Sequence, residues 1–216
     1  MEADFWHRKW QKGELGFHEG RPNTLLTAHL ATLGPGQGAR VFVPLCGKSV
    51  DLHWLLGQGY RVAGVERSAL AVGELFRNLG LEPVTERLGA LTRYCAQDID
   101  VFVGDIFDLS AQDLGPVHAV YDRAALVALP YETRTRYAAH MAALGGVAPQ
   151  LAITFEYDQS LIDGPPFSVD ADEVGRLYGG LYRSEVVARR EVEGGLKGVA
   201  ATETAWVLRP VGSGHT

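Results

Sequence analysis

Apolar positions in this chain alternate between short β-branched runs and helically spaced patches, and that alternation sets the expected fold class. The run Val41-Phe42-Val43 stops at Pro44 and turns through Gly47, and a helical pattern starts at Ser49. Arg40–Pro44 therefore reads as a strand, and Val50, Leu52, Leu55 and Leu56 as the apolar face of a helix closed by Gly57 and Gly59. A second strand is expected over 61–65, then a helix over 69–78 with Ser68 as N-cap and Gly80 at its end. Leu91–Ala96 and Ile99–Val103 flank Gln97-Asp98 as a hairpin, whose second arm can join the main sheet. A short buried strand over 117–121 runs into Asp122-Arg123, and Pro130 opens a helix reaching about residue 143. A strand over 151–157, a stiff loop at Gly164-Pro165-Pro166-Phe167 and a helix over 169–178 come next. Segments 182–190 and 199–208 alternate as a closing antiparallel pair. The pattern predicts one α/β domain over 1–216, Rossmann-like, with a mostly parallel sheet, helices on both faces and an antiparallel edge. Residues 1–33, ahead of Gly34-Pro35-Gly36, are expected to form an N-terminal helical extension or lid rather than a second domain.

Composition narrows the function classes. A length of 216 residues with 46% hydrophobic positions suits a single core between two helical layers. The net charge of −6, with no basic stripe, argues against nucleic acid as a partner. No apolar run approaches the roughly 18 residues that span a bilayer, so no membrane partner is expected. The first residues, Met1-Glu2-Ala3-Asp4, lack the basic and apolar regions of a secretory signal. Two cysteines, Cys46 and Cys95, without a C-x-x-C, fit a reducing cytoplasm. The histidines, His7, His18 and His53 among them, show no metal-ligand spacing, and no metal is assigned.

The candidate chemistry lies at strand ends. Glu66 follows the Leu45-Cys46-Gly47 turn at close to the roughly 20-residue interval at which a carboxylate meets a nucleotide's ribose hydroxyls. G-x-G-x-x-G is missing, so nothing cradles a pyrophosphate. A nucleoside without a diphosphate fits better, and S-adenosyl-L-methionine is the common one. Lys48 lies outside any P-loop, and Cys46 lacks a neighbouring base in sequence, which leaves it a packing role.

These motifs together resemble the thiopurine S-methyltransferase family, particularly its bacterial members. The resemblance rests on Phe5-Trp6-His7-x-x-Trp10, Gly16-Phe17-His18, Val43-Pro44-Leu45-Cys46-Gly47-Lys48-Ser49, Gly64-Val65-Glu66, Tyr121-Asp122-Arg123-Ala124-Ala125-Leu126 and Gly164-Pro165-Pro166-Phe167. It implies a class I S-adenosylmethionine-dependent methyltransferase with a seven-stranded sheet, acting in the cytoplasm on the sulfur of aromatic or heterocyclic thiols. Trp10, Leu45 (through its backbone), Glu66 and Arg123 would face the cofactor, with Trp6 close to both cofactor and acceptor. Asp105-Ile106, at another strand end, stand where methyltransferases recognise the adenine, with an N-cap for the next turn as the equal alternative for Asp105. Phe17 and Arg123 would face the acceptor. An aromatic wall attracts a sulfonium cation by about 0.5–2 kcal/mol, which gives the tryptophans a role beyond packing. Acidic heterocyclic thiols are largely thiolate near neutral pH, so Asp122 is open as a proton acceptor without being required, and no catalytic residue is assigned. The expected partner is a small-molecule thiol or metalloid acceptor, and the expected state a monomer. Two rivals stay open: a related enzyme acting on thiol, halide, selenium or tellurium species, and a cofactor-binding module without turnover. The last segment, from about residue 191, matches the family less well.

Overall fold

A computed structural model describes residues 20–212. Within them the apolar runs become nine strands: β1 (Arg40–Pro44), β2 (Arg61–Glu66), β3 (Val84–Leu88), β4 (Leu91–Ala96), β5 (Ile99–Val103), β6 (Ala119–Arg123), β7 (Gln150–Tyr157), β8 (Tyr182–Glu191) and β9 (Ala201–Pro210). Between and before them lie α1 (Thr24–His29), α2 (Val50–Gly57), α3 (Ala69–Leu79), α4 (Ala111–Leu114), α5 (Tyr131–Leu144) and α6 (Ala171–Tyr178). All nine strands belong to one sheet in the order β3-β4-β5-β2-β1-β6-β7-β9-β8.

The centre, β5-β2-β1-β6-β7, is parallel, and an antiparallel hairpin closes each edge. The expected seven-stranded, mostly parallel sheet is corrected accordingly. Only the five central strands run parallel throughout, and β3 adds a strand the sequence pattern did not reveal. Val84-Thr85-Glu86-Arg87-Leu88 is exposed over most of its length, so no buried face imposed a visible alternation. It is held by pairing with β4, from Val84 opposite Cys95 to Leu88 opposite Leu91. Among the expected boundaries, β6 extends through Asp122 and Arg123, and α6 begins at Ala171 behind the N-cap Asp170.

β1 is buried at every position, as a central parallel strand covered on both faces must be. Leu26 of α1, Leu52 of α2, and Leu75 and Phe76 of α3 pack on one face with Val41 and Tyr121. Tyr137 and Met141 of α5 and Val174 of α6 pack on the other with Phe42, Phe102 and Trp206. Local chemistry sets the helix starts: Asn23, Ser49 and Ser68 each accept backbone N–H groups of the first turn. From β1 the chain steps outward to β2 and β5, then returns to place β6 and β7 on β1's other side. The strand order therefore reverses between β1 and β6, and a crevice opens beyond their carboxyl ends. None of the helices among the described residues is long and apolar enough to cross a membrane.

Candidate active site at the carboxyl ends of the central strands

β1 leaves the sheet through a backbone turn that most residues avoid. Leu45 has φ +47° and Gly47 φ +53°, and Cys46 N–H returns to the Val65 carbonyl at 3.1 Å. Ala124, directly after β6, has φ +66°. Non-glycine residues in left-handed conformations thus flank the crevice on both strands that border it, the kind of local strain that clusters at ligand sites. Behind the turn, Gly64 leaves room for Cys46, since a Cβ there would stand 2.7 Å from the sulfur. Burial, reinforced by Glu66, pushes the Cys46 thiol well above its ordinary pKa, which makes it an inert packing group.

Glu66 ends β2 beside this turn. Oε2 accepts from Gly47 N–H at 3.0 Å and Oε1 from Ser68 N–H at 2.9 Å. The side chain is buried, and that burial raises its pKa above the ordinary glutamate value even though the backbone donors pull the other way. Backbone N–H groups, those of Gly47 and Ser68 foremost, orient the carboxylate without exhausting its acceptor capacity, since a carboxylate offers about four lone-pair sites. Such a carboxylate can accept from both hydroxyls of a vicinal diol.

The segment after β5 comes next in sheet order. Gly104 N–H donates to the Glu66 carbonyl at 3.0 Å. Asp105 caps the following turn, with Oδ1 accepting from Phe107 N–H at 3.1 Å and Oδ2 paired with Arg67. Ile106 is buried, and its carbonyl accepts from His140 Nε2 at 2.7 Å.

At the end of β6, neighbouring residues point to opposite faces. Asp122 faces α5, where Oδ2 accepts from the Tyr137 hydroxyl at 2.7 Å and Oδ1 from Leu126 N–H at 3.1 Å. It is buried, and that burial raises its pKa. Arg123 faces α2, with Nη1 3.6 Å from Asp51 Oδ2. Asp51 also accepts from the Tyr121 hydroxyl at 2.9 Å and from Asn23 N–H at 2.7 Å, so one buried carboxylate joins α1, α2 and β6.

Leu45, Glu66, Asp105, Ile106, Asp122 and Arg123, distant in sequence, thus gather along four adjacent strand ends. Trp6, Trp10 and Phe17 lie outside the described residues. Lys48 pairs with Glu74 of α3 at 2.5 Å. Sequence reasoning missed Asp51, Arg67, Tyr137 and His140. Asp51 carried only the signal of an acid in a first helical turn, and the other three no local signal, because their partners lie on other elements.

Three comparisons bear on this site. The family model described as thiopurine S-methyltransferase matches residues 1–208. A thiopurine S-methyltransferase of Xanthobacter autotrophicus is 54% identical over 210 residues, covering 96% of this chain and 99% of the relative. One from Teredinibacter turnerae is 52% identical over 209 residues, covering 96% and 97%. Among solved structures, the 1,6-didemethyltoxoflavin-N1-methyltransferase of Burkholderia thailandensis, with bound S-adenosylhomocysteine, aligns with TM-score 0.64 at 16% identity, over 96% of this chain and 86% of that one. Magnesium protoporphyrin IX methyltransferase from Synechocystis, also with the bound product cofactor, aligns at 0.61 and 15% identity, over 95% and 94%. At such identities the structures share the fold, that of S-adenosylmethionine-dependent methyltransferases.

Proposed function

The chain belongs to the thiopurine S-methyltransferase family, and from that premise we propose that it transfers the methyl group of S-adenosyl-L-methionine to the sulfur of thiopurines or related heterocyclic thiols. The observation that carries this reading is Glu66, a buried carboxylate at the end of β2, oriented by Ser68 and by Gly47 of the turn through which β1 opens onto the strand-order reversal. Its free lone pairs suit the two ribose hydroxyls, and the turn with no glycine cradle suits a nucleoside lacking a diphosphate. Leu45 and Gly47 would present backbone to the cofactor, and the Asp105–Ile106 segment would border the adenine. On the family resemblance, Trp6 and Trp10 are assigned to the cofactor and Phe17 to the acceptor. The bound cofactor supplies an electrophilic methyl group on a positively charged sulfur.

The chain's own residues then orient, exclude water and balance charge. Arg123 is assigned to the methyl-transfer point, where its guanidinium, steadied by Asp51, favours an anionic sulfur. Asp122 is not the proton acceptor in this reading. Tyr137 and backbone N–H groups already engage its carboxylate, and it works by holding the bend that carries Arg123. With the acceptor already a thiolate, holding the reactants in line suffices, and such alignment supplies up to about 7–11 kcal/mol of a barrier. A cytoplasmic monomer fits the free cysteines and the small-molecule acceptor.

Labelled cofactor and a panel of acceptors test the proposal. Methyl label on the sulfur of a thiopurine supports it. Label appearing only on halide, selenium or tellurium acceptors overturns the acceptor class, and cofactor binding without any transfer overturns the enzyme reading.

A further inference from the structure

Helix α5 packs behind the crevice, and its side chains grip three segments that border it. Near its start Arg134 is buried, donating from Nε to the Leu129 carbonyl at 2.8 Å and from Nη1 to the Ser168 carbonyl at 3.1 Å and to Glu173 of α6 at 2.5 Å. Its guanidinium also lies 5.5 Å from the centre of the Phe167 ring. One side chain thus ties the segment after β6 to the end of the Gly164-Pro165-Pro166-Phe167 loop after β7. Phe167 N–H, donating to the Val127 carbonyl at 2.6 Å, closes the same join. A turn further on, Tyr137 holds Asp122 at the end of β6. Beyond it His140 holds the Ile106 carbonyl, while Arg136 lies 3.8 Å from the centre of the Phe107 ring.

A buried guanidinium is costly unless its donors are met, and here they are met by both loops at once. From Arg134 to His140 the helix rises by about 9 Å, so the grips are spread along the crevice rather than gathered at one point.

We propose that α5 is the positioning element of this enzyme, with Arg134 setting the loops after β6 and β7, which lie on Arg123's side of the strand-order reversal and are thereby assigned to the acceptor, and His140 setting the adenine-side segment after β5 independently. The proposal rests on the reading of the crevice given above. None of these side chains is a catalytic residue, since each acts through the loop it holds.

The test is a split between two readouts that a merely structural contact would move together. His140→Ala weakens S-adenosylhomocysteine binding, measured by calorimetry, by about three- to tenfold, the worth of one lost hydrogen bond. His140→Gln, which keeps a donor, recovers part of that loss, and the thiopurine KM at saturating cofactor stays at the wild-type value. Arg134→Lys does the reverse, raising the acceptor KM and leaving S-adenosylhomocysteine affinity unchanged. Should that variant fail to fold, Glu173→Gln loosens the same grip from α6 and carries the same expectation. Both parameters shifting in parallel in each variant, or neither shifting, overturns the proposal. A wild-type protein that binds S-adenosylhomocysteine without methylating any thiopurine overturns the acceptor reading instead. In that case unchanged affinity in His140→Ala still overturns the positioning role.

Discussion

The chemistry of single residues turns on charges placed out of water. Glu66 is buried and held by backbone donors, so replacing it tests the cofactor assignment directly. Glu66→Gln should weaken S-adenosylhomocysteine binding about ten- to a hundredfold by calorimetry, corresponding to about 1.5–3 kcal/mol for hydrogen bonds to a charged group. Its pH dependence follows from the raised pKa, which burial causes. In the proposed reading the ionised carboxylate accepts the ribose hydroxyls, so affinity should be full above the raised pKa and fall as pH drops through it. That loss sets in at higher pH than an exposed glutamate would give, and Glu66→Gln should abolish it. For folding the sign is opposite: a raised carboxyl pKa means that the folded state favours the proton, so ionising Glu66 costs stability above that pKa. Arg123 makes a separate forecast. Arg123→Lys should keep part of the activity, and Arg123→Ala should lose more, with the larger loss on acceptors bound as thiolates. Turnover on one thiolate and one neutral acceptor, with cofactor affinity measured alongside, checks it; equal losses on both would make Arg123 a cofactor residue alone.

At the scale of elements, the site depends on how closely β1's exit turn lies against β2. Gly64 is the contact point, because any Cβ there meets the Cys46 sulfur. Gly64→Ala should push Cys46 and the Leu45–Gly47 turn outward, costing about 1–3 kcal/mol of stability as overpacking does, together with cofactor affinity. The double variant Gly64→Ala/Cys46→Ala removes the colliding atom and should recover most of both. Denaturation midpoints and S-adenosylhomocysteine affinity for the two single variants and the double variant measure this coupling; additive losses would show that the turn does not lean on Gly64.

Across the whole molecule, the candidate site and the Asp100 ion cluster lie at opposite ends of the sheet. Asp100, near the start of β5, receives Arg40 of β1 at 2.8 Å and Arg93 of β4 at 2.7 Å. Burial alone would raise the Asp100 carboxyl, but hydrogen bonds from Arg93 and the Cys95 thiol, with the charges of Arg93 and Arg40, outweigh it and hold the pKa below the usual range. Its stabilisation is therefore present above the unfolded pKa of about 3.9 and is lost as pH falls through the lower folded value. Asp100→Asn leaves two arginines facing each other and should destabilise the fold by about 2–3 kcal/mol, somewhat less than the roughly 3–5 kcal/mol of a fully buried pair. The thermal midpoint should drop while S-adenosylhomocysteine affinity stays unchanged, because no strand end at the crevice moves.

What the sequence determined by itself was whatever neighbours along the chain decide. β1, the β4–β5 hairpin, the helix start at Ser49, the cap at Ser68 and the placing of Leu45, Glu66, Asp105 and Arg123 at strand ends follow from local periodicity, turn chemistry and the family's motifs. Tertiary structure alone decided the rest. β3 exists because β4 offers it a paired edge, as its own exposed residues carry no alternation. Asp122 and Arg123, adjacent in the chain, face opposite layers because successive strand residues alternate, and which layer holds Tyr137 and which Asp51 depends on how the helices pack. The grips of Arg134 on Ser168 and of His140 on Ile106 each join segments 34 residues apart in sequence, and such pairings have no period to read. A chain displays its local preferences at every position, but a buried charge shows its partner only once the fold has brought the two together.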